Sequence, residues 1–267
     1  MKDVHDIASR RLPESQVQSN FCDIHPPLDL KSAAIAASQC HYCFDAPCIT
    51  ACPTHINIPG FIRKIQTGNL KGAATEILSA NIMGGTCARV CPVEILCEKA
   101  CVRNHPDDTP VAIGLLQRHA TDYLFEKKIQ PFKREKKTGK KIAVVGAGPA
   151  GLSCAHNLSR LGHEVTVFEA NEKAGGLNEY GIAAYKMTHD FAQREVNFIL
   201  DLGGIEVKTN HALGKEVSLS QLRKSFDAVF LGVGLQGNNA LGITEMKGVI
   251  DATETIAQIR QAKNLSQ

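Results

Sequence analysis

The first half of the chain carries apolar residues at helical spacing. Leu30–Ser38 is predicted as a helix that leads into the first cysteines, and apolar positions recur every three or four residues over Pro59–Ser79, which predicts a second helix. A third helix is predicted over Val111–Phe125, before Gln130-Pro131 and a lysine-rich run interrupt the pattern. Residues 1–140 are therefore expected to form an all-helical domain that ends in a basic linker.

After residue 140 the pattern changes to alternating strands and helices. Ile142–Val145 and Val165–Phe168 are predicted as buried strands, with the helix Pro149–Leu161 between them. Such a unit places its strands in parallel, because the intervening helix crosses over the sheet. The pattern then predicts, in order, the helix Thr188–Leu202, the strand Ile205–Lys208, the helix Leu219–Ser225 and the strand Ala228–Leu231. Residues 141–267 are expected to form an α/β Rossmann-like domain.

Charge and composition narrow the class of protein. The 267 residues include 30 Lys and Arg against 27 Asp and Glu, a net charge of +3, and eight of the basic residues fall in Lys127–Lys141. This concentration predicts a solvated linker and not a nucleic-acid-binding face. No apolar run reaches the ~18 residues of a membrane span, and Met1–Gln16 is too polar for a signal peptide. We expect a soluble cytoplasmic protein with no membrane or nucleic-acid partner.

Eight of the ten cysteines lie between Cys40 and Cys101, which in a reducing cytosol indicates metal ligands before disulfides. They form the motifs C-x2-C-x4-C-x3-C-P and C-x3-C-P-x4-C-x3-C. A Cys-Pro ending is typical of ferredoxin-like runs whose last cysteine serves the other cluster, so we expect two [4Fe-4S] clusters. Zinc or a disulfide framework is the alternative, and spacing alone does not assign ligands to clusters. The motif cysteines are Cys40, Cys43, Cys48 and Cys52, then Cys87, Cys91, Cys97 and Cys101.

A glycine fingerprint opens the predicted α/β domain. Gly146, Gly148 and Gly151 form G-x-G-x-x-G directly after a predicted strand and at the start of a helix, and Glu169 ends the next strand, 23 residues beyond Gly146. The glycines permit a tight turn and the close approach of a pyrophosphate, while the acid can bond ribose hydroxyls. Strand, turn, helix and acid together predict a dinucleotide site.

Two further features favour FAD over NAD at this site. Pro149 stands inside the loop GAGPAG, and Gly175-Gly176 follow shortly after the ribose acid, where a flexible backbone can run beside an extended cofactor. The fingerprint itself serves both dinucleotides, so NAD is the alternative.

With these features placed, the chain resembles a known family, the flavin and iron–sulfur electron-input unit shared by the small subunit of glutamate synthase and NAD(P)-dependent dihydropyrimidine dehydrogenase. Within it, the chain most resembles the bacterial PreT-type subunit. The resemblance runs from Cys40 to the C-terminus and rests on four motifs in the family's order: CHYCFDAPCITACPTHI, GGTCARVCPVEILCEKAC, VAIGLLQRHATDYL and KKIAVVGAGPAGL. That order is more specific than any single motif.

The resemblance implies which residues hold each cluster. It assigns one cluster to Cys40, Cys43, Cys48 and Cys101 and the other to Cys52, Cys91, Cys97 and Gln117. Cys87 is left without a ligand role. An acidic residue is typical of the glutamate synthase branch at the position of Gln117, so this glutamine favours the pyrimidine branch.

The resemblance also implies the contacts of FAD. Pyrophosphate contacts fall on the fingerprint loop, and ribose and backbone contacts fall on the segment from Glu169 to Leu177. Lys186 stands where relatives carry a basic residue near the flavin, with a solvated lysine as the alternative, and a backbone contact to adenine falls on Ala212 and Leu213. The residues of the first two groups are Gly146, Ala147, Gly148, Pro149, Ala150 and Gly151, and Glu169, Gly175, Gly176 and Leu177.

One departure from the family concerns the nicotinamide nucleotide. Family members continue into a second nucleotide-binding domain for NAD(P)H and then return to the flavin domain, whereas no second G-x-G-x-x-G loop follows Gly151 in this sequence. We therefore expect an incomplete FAD-binding domain, truncated before the NAD(P)H domain, that alone lacks NAD(P)H activity.

The leading hypothesis is an electron-input subunit, or its N-terminal part, in which NAD(P)H reduces FAD and two [4Fe-4S] clusters pass electrons on. The partner in this hypothesis is a flavin-containing catalytic subunit that reduces uracil or thymine, within a hetero-oligomer. No catalytic acid or base is expected in this segment. The alternatives are an electron donor like the glutamate synthase small subunit, and a non-catalytic electron-transfer or assembly module.

Overall fold

A computed structural model describes residues 22–104, 109–235 and 249–262, together with positions 13, 15, 16 and 19. Helices make up the part before residue 130, which we call the helical part. None of the helices in the described ranges combines the length and the apolar character needed to cross a membrane. The helices are α1 Leu30–Ser38, α2 Pro47–Ala51, α3 Ile58–Gln66, α4 Leu70–Ala80, α5 Gly84–Val90 and α6 Ile113–Lys127, with short 3-10 turns at Val93–Ile95 and Val102–Asn104.

The single helix predicted over Pro59–Ser79 is wrong, because the chain forms two helices there. Gly68 has a φ of 75°, a left-handed conformation that ends α3. Asn69 then caps α4, since its side-chain oxygen accepts a hydrogen bond from the Gly72 N–H at 2.8 Å. Periodicity continues through this turn because both helices bury their apolar faces in the same core.

The second part of the chain, the sheet part, contains a four-stranded sheet in the order β3-β2-β1-β4. Each neighbouring pair is parallel, which confirms the predicted parallel sheet, and Val145 pairs with Phe168 on one side and Leu231 on the other. The carboxyl ends of the strands therefore share one edge. The elements are β1 Lys141–Val145, α7 Pro149–Arg160, β2 Glu164–Phe168, α8 Leu177–Tyr180, α9 Phe191–Leu200, β3 Ile205–Lys208, α10 Leu219–Ser225, β4 Ala228–Leu231 and α11 Ala252–Gln261.

Helix α9 begins later than the predicted Thr188, at Phe191. His189 and Asp190 have φ values of 59° and 52°, so neither can belong to a right-handed helix. The apolar stripe that predicted this helix does lie inside, with Phe191, Phe198 and Ile199 buried.

A continuous buried core joins the helical part to the sheet part. Phe125 of α6 packs edge-on against two rings of α9, with ring centroids 5.1 Å from Phe191 and 4.9 Å from Phe198. We call this contact region the seam.

The basic segment Lys127–Lys141 is largely exposed between its two elements, as predicted for a solvated linker, but parts of it contact the sheet part. Phe132 is buried, and the Arg134 guanidinium pairs with Glu164 at 2.8 Å at the start of β2. Lys140 pairs with Asp227 at 2.8 Å before β4. Some of the basic charges therefore attach this segment to the sheet part.

Candidate functional site

The glycine fingerprint forms a tight turn at the carboxyl edge of the sheet. Gly146 has a φ of 98°, and a β-carbon there would lie 2.8 Å from the carbonyl carbon of Gly232. Gly148 caps α7 and Pro149 is its first residue, so the unpaired N–H groups of the helix start face the turn. A helix N-terminus of this kind attracts a phosphate group.

The second glycine pair packs against the first loop. The Gly175 N–H donates to the Ala147 carbonyl at 2.8 Å, and a β-carbon at Gly176 would lie 2.6 Å from the Gly148 Cα. Gly148 itself has an ordinary φ of −78°, and the nearest atom to a β-carbon there is 3.8 Å away. The open space over Gly148 is thus a cradle that a side chain would fill, which fits an extended dinucleotide.

Glu169 is buried beside this turn and organises it. Its carboxylate accepts hydrogen bonds from the Ala147 N–H at 2.8 Å and from the backbone and side chain of Asn171, both at 2.9 Å. These contacts hold the carboxylate of the predicted ribose acid in place. Sequence reasoning missed Asn171, because an asparagine in a turn carries no functional pattern of its own.

The predicted adenine contact lies in the loop after β3, next to Glu169. The His211 N–H donates to the Glu169 carbonyl at 2.8 Å. Both backbone groups of Ala212 are used within the loop: its N–H donates to Glu216 at 2.9 Å, and its carbonyl accepts from Lys215 and Val217. Leu213 follows, partly exposed.

Lys186 lies in a turn between α8 and α9, with an exposed side chain. Its N–H donates to the Ala183 carbonyl at 3.0 Å. It does not begin a helix, since α9 starts five residues later. A role for Lys186 near the flavin stays a prediction.

The structure brings together the four cysteines that the resemblance assigns to one cluster. All four line one cavity of the helical part, beside the N-terminus of α3. Three come from the turn around α2, and Cys101 returns from a point more than fifty residues later in the chain. The cysteines are Cys40, Cys43, Cys48 and Cys101.

The thiols of this cavity are costly to ionise because they are partly buried. Burial raises the pKa of the Cys40 thiol, and it raises the pKa of the Cys48 thiol to about 11, with smaller contributions from Cys40 and Cys101. A cation core offsets such a cost, because thiolates are the ligating form. In the described part of the chain, no three His, Cys, Asp or Glu side chains converge tightly enough for a single metal ion.

The second cysteine group meets between α2, α5 and the turn that follows α5. Cys52 and Cys97 are buried, and burial raises the pKa of the Cys97 thiol to about 12, with Glu98 and Cys52 adding to the effect. The pKa of Cys91 is also raised, first by its hydrogen bond to Cys87 and then by burial and the charges of Cys87, Cys97 and Cys52. These four cysteines are therefore close neighbours.

Gln117 lies on α6 beside this group, with its side chain buried. Its amide nitrogen donates to the Gly84 carbonyl at 2.9 Å, which leaves the amide oxygen as the atom available to a metal. Cys87 lies next to it, and hydrogen bonds from Cys91 and Gln117 lower the pKa of Cys87 to about 7, against the effect of burial. The structure thus groups Cys87 with the predicted ligands.

A second cavity opens on the seam between the two parts, and we call it the seam cavity. It is lined by the start of α7 in the glycine fingerprint and by α5, which carries Cys87. Its lining residues are Asn81, Met83, Thr86, Cys87, Pro149, Ala150, Ser153 and Asn178. Pro149 and Ala150 of the dinucleotide turn therefore share one cavity with Cys87, the member of the second cysteine group that is not a predicted ligand.

Two buried polar residues of the seam escaped sequence reasoning. Glu195 of α9 is 1% exposed and accepts a hydrogen bond from the Thr86 N–H at 2.9 Å and another from the Thr86 hydroxyl. Asn178 of α8 donates to the same hydroxyl at 3.3 Å. The partners are distant in sequence, so no local signal predicted them.

Asp23 fastens the segment before α1 to both parts of the molecule. Its carboxylate pairs with the buried guanidinium of Arg118, next to Gln117, and accepts from the Thr188 hydroxyl at 3.2 Å. The Ile24 N–H donates to the Tyr185 carbonyl at 3.2 Å. The hydrogen bond from Arg118 lowers the pKa of Asp23 to about 2, although burial opposes the shift.

Two protein families match successive parts of the chain. Residues 17–129 match the family described as dihydropyrimidine dehydrogenase domain II, 4Fe-4S cluster. Residues 104–258, more than half of the chain, match the family described as pyridine nucleotide-disulphide oxidoreductase. The chain belongs to the pyridine nucleotide-disulphide oxidoreductase family. The predicted iron–sulfur and flavoprotein character of this oxidoreductase is confirmed.

Individual relatives confirm the resemblance that the motifs predicted. The chain is 36% identical over 247 residues to the NAD-dependent dihydropyrimidine dehydrogenase subunit PreT of Salmonella typhimurium, which is 92% of this chain and 59% of that protein. The PreT subunit of Escherichia coli K12 is also 36% identical over 92% of this chain and 60% of its own length. The glutamate synthase [NADPH] small chain of Escherichia coli K12 is 37% identical over 80% of this chain and 45% of its own length. The chain thus spans about three fifths of the PreT subunits that it matches.

Proposed function

We propose that this chain is the electron-input part of a dihydropyrimidine dehydrogenase-type oxidoreductase. FAD lies along the glycine fingerprint, two [4Fe-4S] clusters lie in the helical part, and electrons leave for a flavin-containing catalytic partner in a cytoplasmic hetero-oligomer. NAD(P)H is the donor in the complete protein. The boundary between the two domains lies near residue 140.

The shared wall of the seam cavity carries this proposal. Pro149 and Ala150 of the dinucleotide turn face the same space as Cys87, which lies beside Cys91 and Gln117 of the second cysteine group. A dinucleotide held at this turn would therefore lie on the same side of the sheet part as a cluster held by that group. Short separation is what single-electron transfer between the two requires.

Each cofactor has a set of residues in this chain that would hold it. The helix start at Gly148–Ala150 would bind the pyrophosphate, and Glu169 would bind the ribose. The cavity of Cys40, Cys43, Cys48 and Cys101 would hold one cluster, and Cys52, Cys91, Cys97 and Gln117 the other. When bound, the flavin accepts two electrons from the donor and gives them up one at a time, and the clusters conduct these single electrons. The protein positions these groups and needs no catalytic acid or base for electron transfer itself.

A glutamate synthase-type electron donor is the second candidate. The 37% identity to the glutamate synthase small chain equals or exceeds that to the PreT subunits, although it covers less of this chain. Gln117 favours the pyrimidine-reducing partner. Reconstitution distinguishes the two: the complete protein should transfer electrons to a pyrimidine-reducing subunit and not to a glutamate-forming one.

Cofactor analysis tests the proposal directly. Anaerobically purified protein should contain close to eight iron atoms, with matching acid-labile sulfide, and FAD as its released flavin. Zinc in place of iron would refute the cluster assignment, and a flavin-free protein with intact clusters would refute the FAD site alone.

A further inference from the structure

The buried carboxyl of Glu195 has no part in holding a cofactor. It lies on α9 at the seam, 1% exposed, and its oxygens accept hydrogen bonds from the N–H and the hydroxyl of Thr86, with the Gly85 backbone as a further partner. Gly85 allows this approach, because a β-carbon there would lie 2.9 Å from a Glu195 oxygen. A carboxyl that is buried with so few partners ionises at a cost.

Thr86 connects this carboxyl to the seam cavity. Thr86 lines the cavity together with Pro149 and Ala150, and its hydroxyl donates to Glu195. Asn178, another residue of the cavity wall, donates to the same hydroxyl at 3.3 Å and fixes its position. One hydroxyl group therefore separates Glu195 from the cavity.

We propose that Thr86 and Glu195 form a proton-exchange pair for the flavin of the seam cavity. This inference rests on the proposed function, and it adds a route for the proton that must accompany the electrons. A flavin bound there would release one proton when the clusters withdraw its two electrons. Thr86 would relay that proton, because its hydroxyl oxygen takes up a proton on the cavity side as its own hydroxyl proton passes to a Glu195 oxygen.

The charged groups around Glu195 are paired with other residues, so its carboxyl can both accept and release a proton. Arg89 of α5 is the nearby cation, but it pairs with Asp122 of α6 at 2.7 Å and stacks 3.5 Å from the centroid of the Phe191 ring. Glu179 of α8 is engaged by Gln193, Lys173, Arg260 and Gln261. The guanidinium carbon of Arg194, which is also on α9, lies 5.7 Å from the centroid of the Phe191 ring.

The ionisation of Glu195 is suited to this task. Burial raises its pKa to about 7, against the hydrogen bonds of Thr86 and the charge of Arg89, which lower it. Both forms of the carboxyl are therefore populated near neutral pH, where a proton acceptor is most effective. When Glu195 is ionised the Thr86 hydroxyl donates to it, and when Glu195 is protonated the direction reverses and the Thr86 proton is available to the cavity.

Stopped-flow reoxidation of the FAD-loaded protein tests the pair. Protein reduced with dithionite is mixed with a dye acceptor across neutral pH, and flavin absorbance is followed in Glu195→Gln, Thr86→Val and Thr86→Ser variants. Flavin reoxidation should slow at least about tenfold in the first two, lose the pH inflection near 7, and recover in Thr86→Ser, which restores the hydroxyl. Glu126→Gln, an exposed substitution on α6, is the matched control.

Infrared titration provides a readout that does not depend on turnover. A protonated-carboxyl band should titrate near pH 7 in the oxidised protein, vanish in Glu195→Gln and persist in Thr86→Val. Unchanged reoxidation in Thr86→Val, or a pH inflection retained in Glu195→Gln, would overturn the proton route even if either variant lowers the melting temperature. Loss of FAD from the wild-type protein would overturn the proposed function and the route with it, whereas bound FAD with unaltered kinetics in the variants overturns the route alone.

Discussion

At the scale of single residues, a substitution at Gly148 should affect FAD binding without affecting folding. Its φ of −78° is accessible to any residue, and a β-carbon there meets nothing closer than 3.8 Å. Gly148→Val should therefore fold but abolish FAD binding, because its methyl groups occupy the space that the pyrophosphate must enter. Flavin content after purification measures the effect.

Asn157→Val is a matched control for that variant, since it places the same β-branched residue on an exposed position of α7. It should retain flavin at the wild-type level. Normal FAD content in Gly148→Val would show that the fingerprint turn does not bind the cofactor.

Gln117 and Cys87 are neighbours, and we expect their substitutions to have opposite effects on the clusters. Gln117→Ala removes a proposed ligand oxygen and should alter the electron paramagnetic resonance signal of one reduced cluster while the other is unchanged. Cys87→Ser should leave both signals, because Cys87 is not a proposed ligand. A cluster lost in Cys87→Ser would reverse the two roles, a result that the close contact of Cys87 with Cys91 makes important to test.

Asp23 should contribute stability that depends on pH. Its pKa is about 2 in the folded chain against 3.8 for an unperturbed aspartate, so the contribution is complete above pH 3.8 and is lost as the pH falls through 2. The shift corresponds to about 2 kcal/mol at pH 7. The free energy of unfolding of Asp23→Asn, measured by denaturant titration, should lie below the wild-type value by about that amount at pH 7 and converge with it at acid pH. An equal difference at pH 7 and pH 3 would contradict this assignment.

At the scale of elements, the turn between α3 and α4 determines how the helical part folds back. Gly68 has a φ of 75°, and a β-carbon added there would have no neighbour within 4 Å, so a substitution acts on the backbone alone. Gly68→Ala should lower the stability by about 1 kcal/mol, whereas Gly68→Asn should cost less because asparagine tolerates left-handed conformations. Thermal unfolding of the two variants makes the comparison. Equal losses would indicate that steric contact, and not conformation, is limiting.

Helix α5 and helix α9 show how elements come to share a site. Gly85 of α5 lets α9 approach so closely that a β-carbon would lie 2.5 Å from the Phe191 ring and 2.9 Å from a Glu195 oxygen. The same approach places Thr86 against Glu195 and Cys87 against the seam cavity. Gly85, a glycine next to a cysteine motif, thus has a packing function.

At the scale of the whole molecule, we expect chemical reductants and nicotinamide nucleotides to reduce the protein at different rates. The 267-residue chain with its cofactors should be reduced by dithionite but bleached slowly by NADH or NADPH. Holding a nicotinamide against a flavin contributes about 7 to 11 kcal/mol through positioning, and the single glycine fingerprint of this sequence is assigned to FAD. Rapid bleaching by NAD(P)H in a stopped-flow experiment would reveal a nucleotide site elsewhere in the chain.

Many helices and strands could be predicted because they depend on short-range patterns of apolar and turn residues in the sequence. The strands Ile205–Lys208 and Ala228–Leu231 and the helix Leu219–Ser225 have the predicted bounds, since each is a single apolar or capped run between turn residues. The errors fall where a left-handed residue interrupts a periodic run, at Gly68 and at His189-Asp190. Periodicity records which face is buried and does not record where the backbone reverses.

The sequence by itself determined the order of modules, the two cysteine motifs and the glycine turn, because each depends on residues within about twenty positions of one another. Only the tertiary structure brought Cys101 to the cavity of Cys40, placed Cys87 in one cavity with the glycine turn, and joined Thr86 to Glu195, 109 residues away. Such contacts arise from the packing of whole helices across the seam. A buried polar pair formed in this way leaves no periodic trace in either segment, since each partner occupies one position of an otherwise ordinary helix.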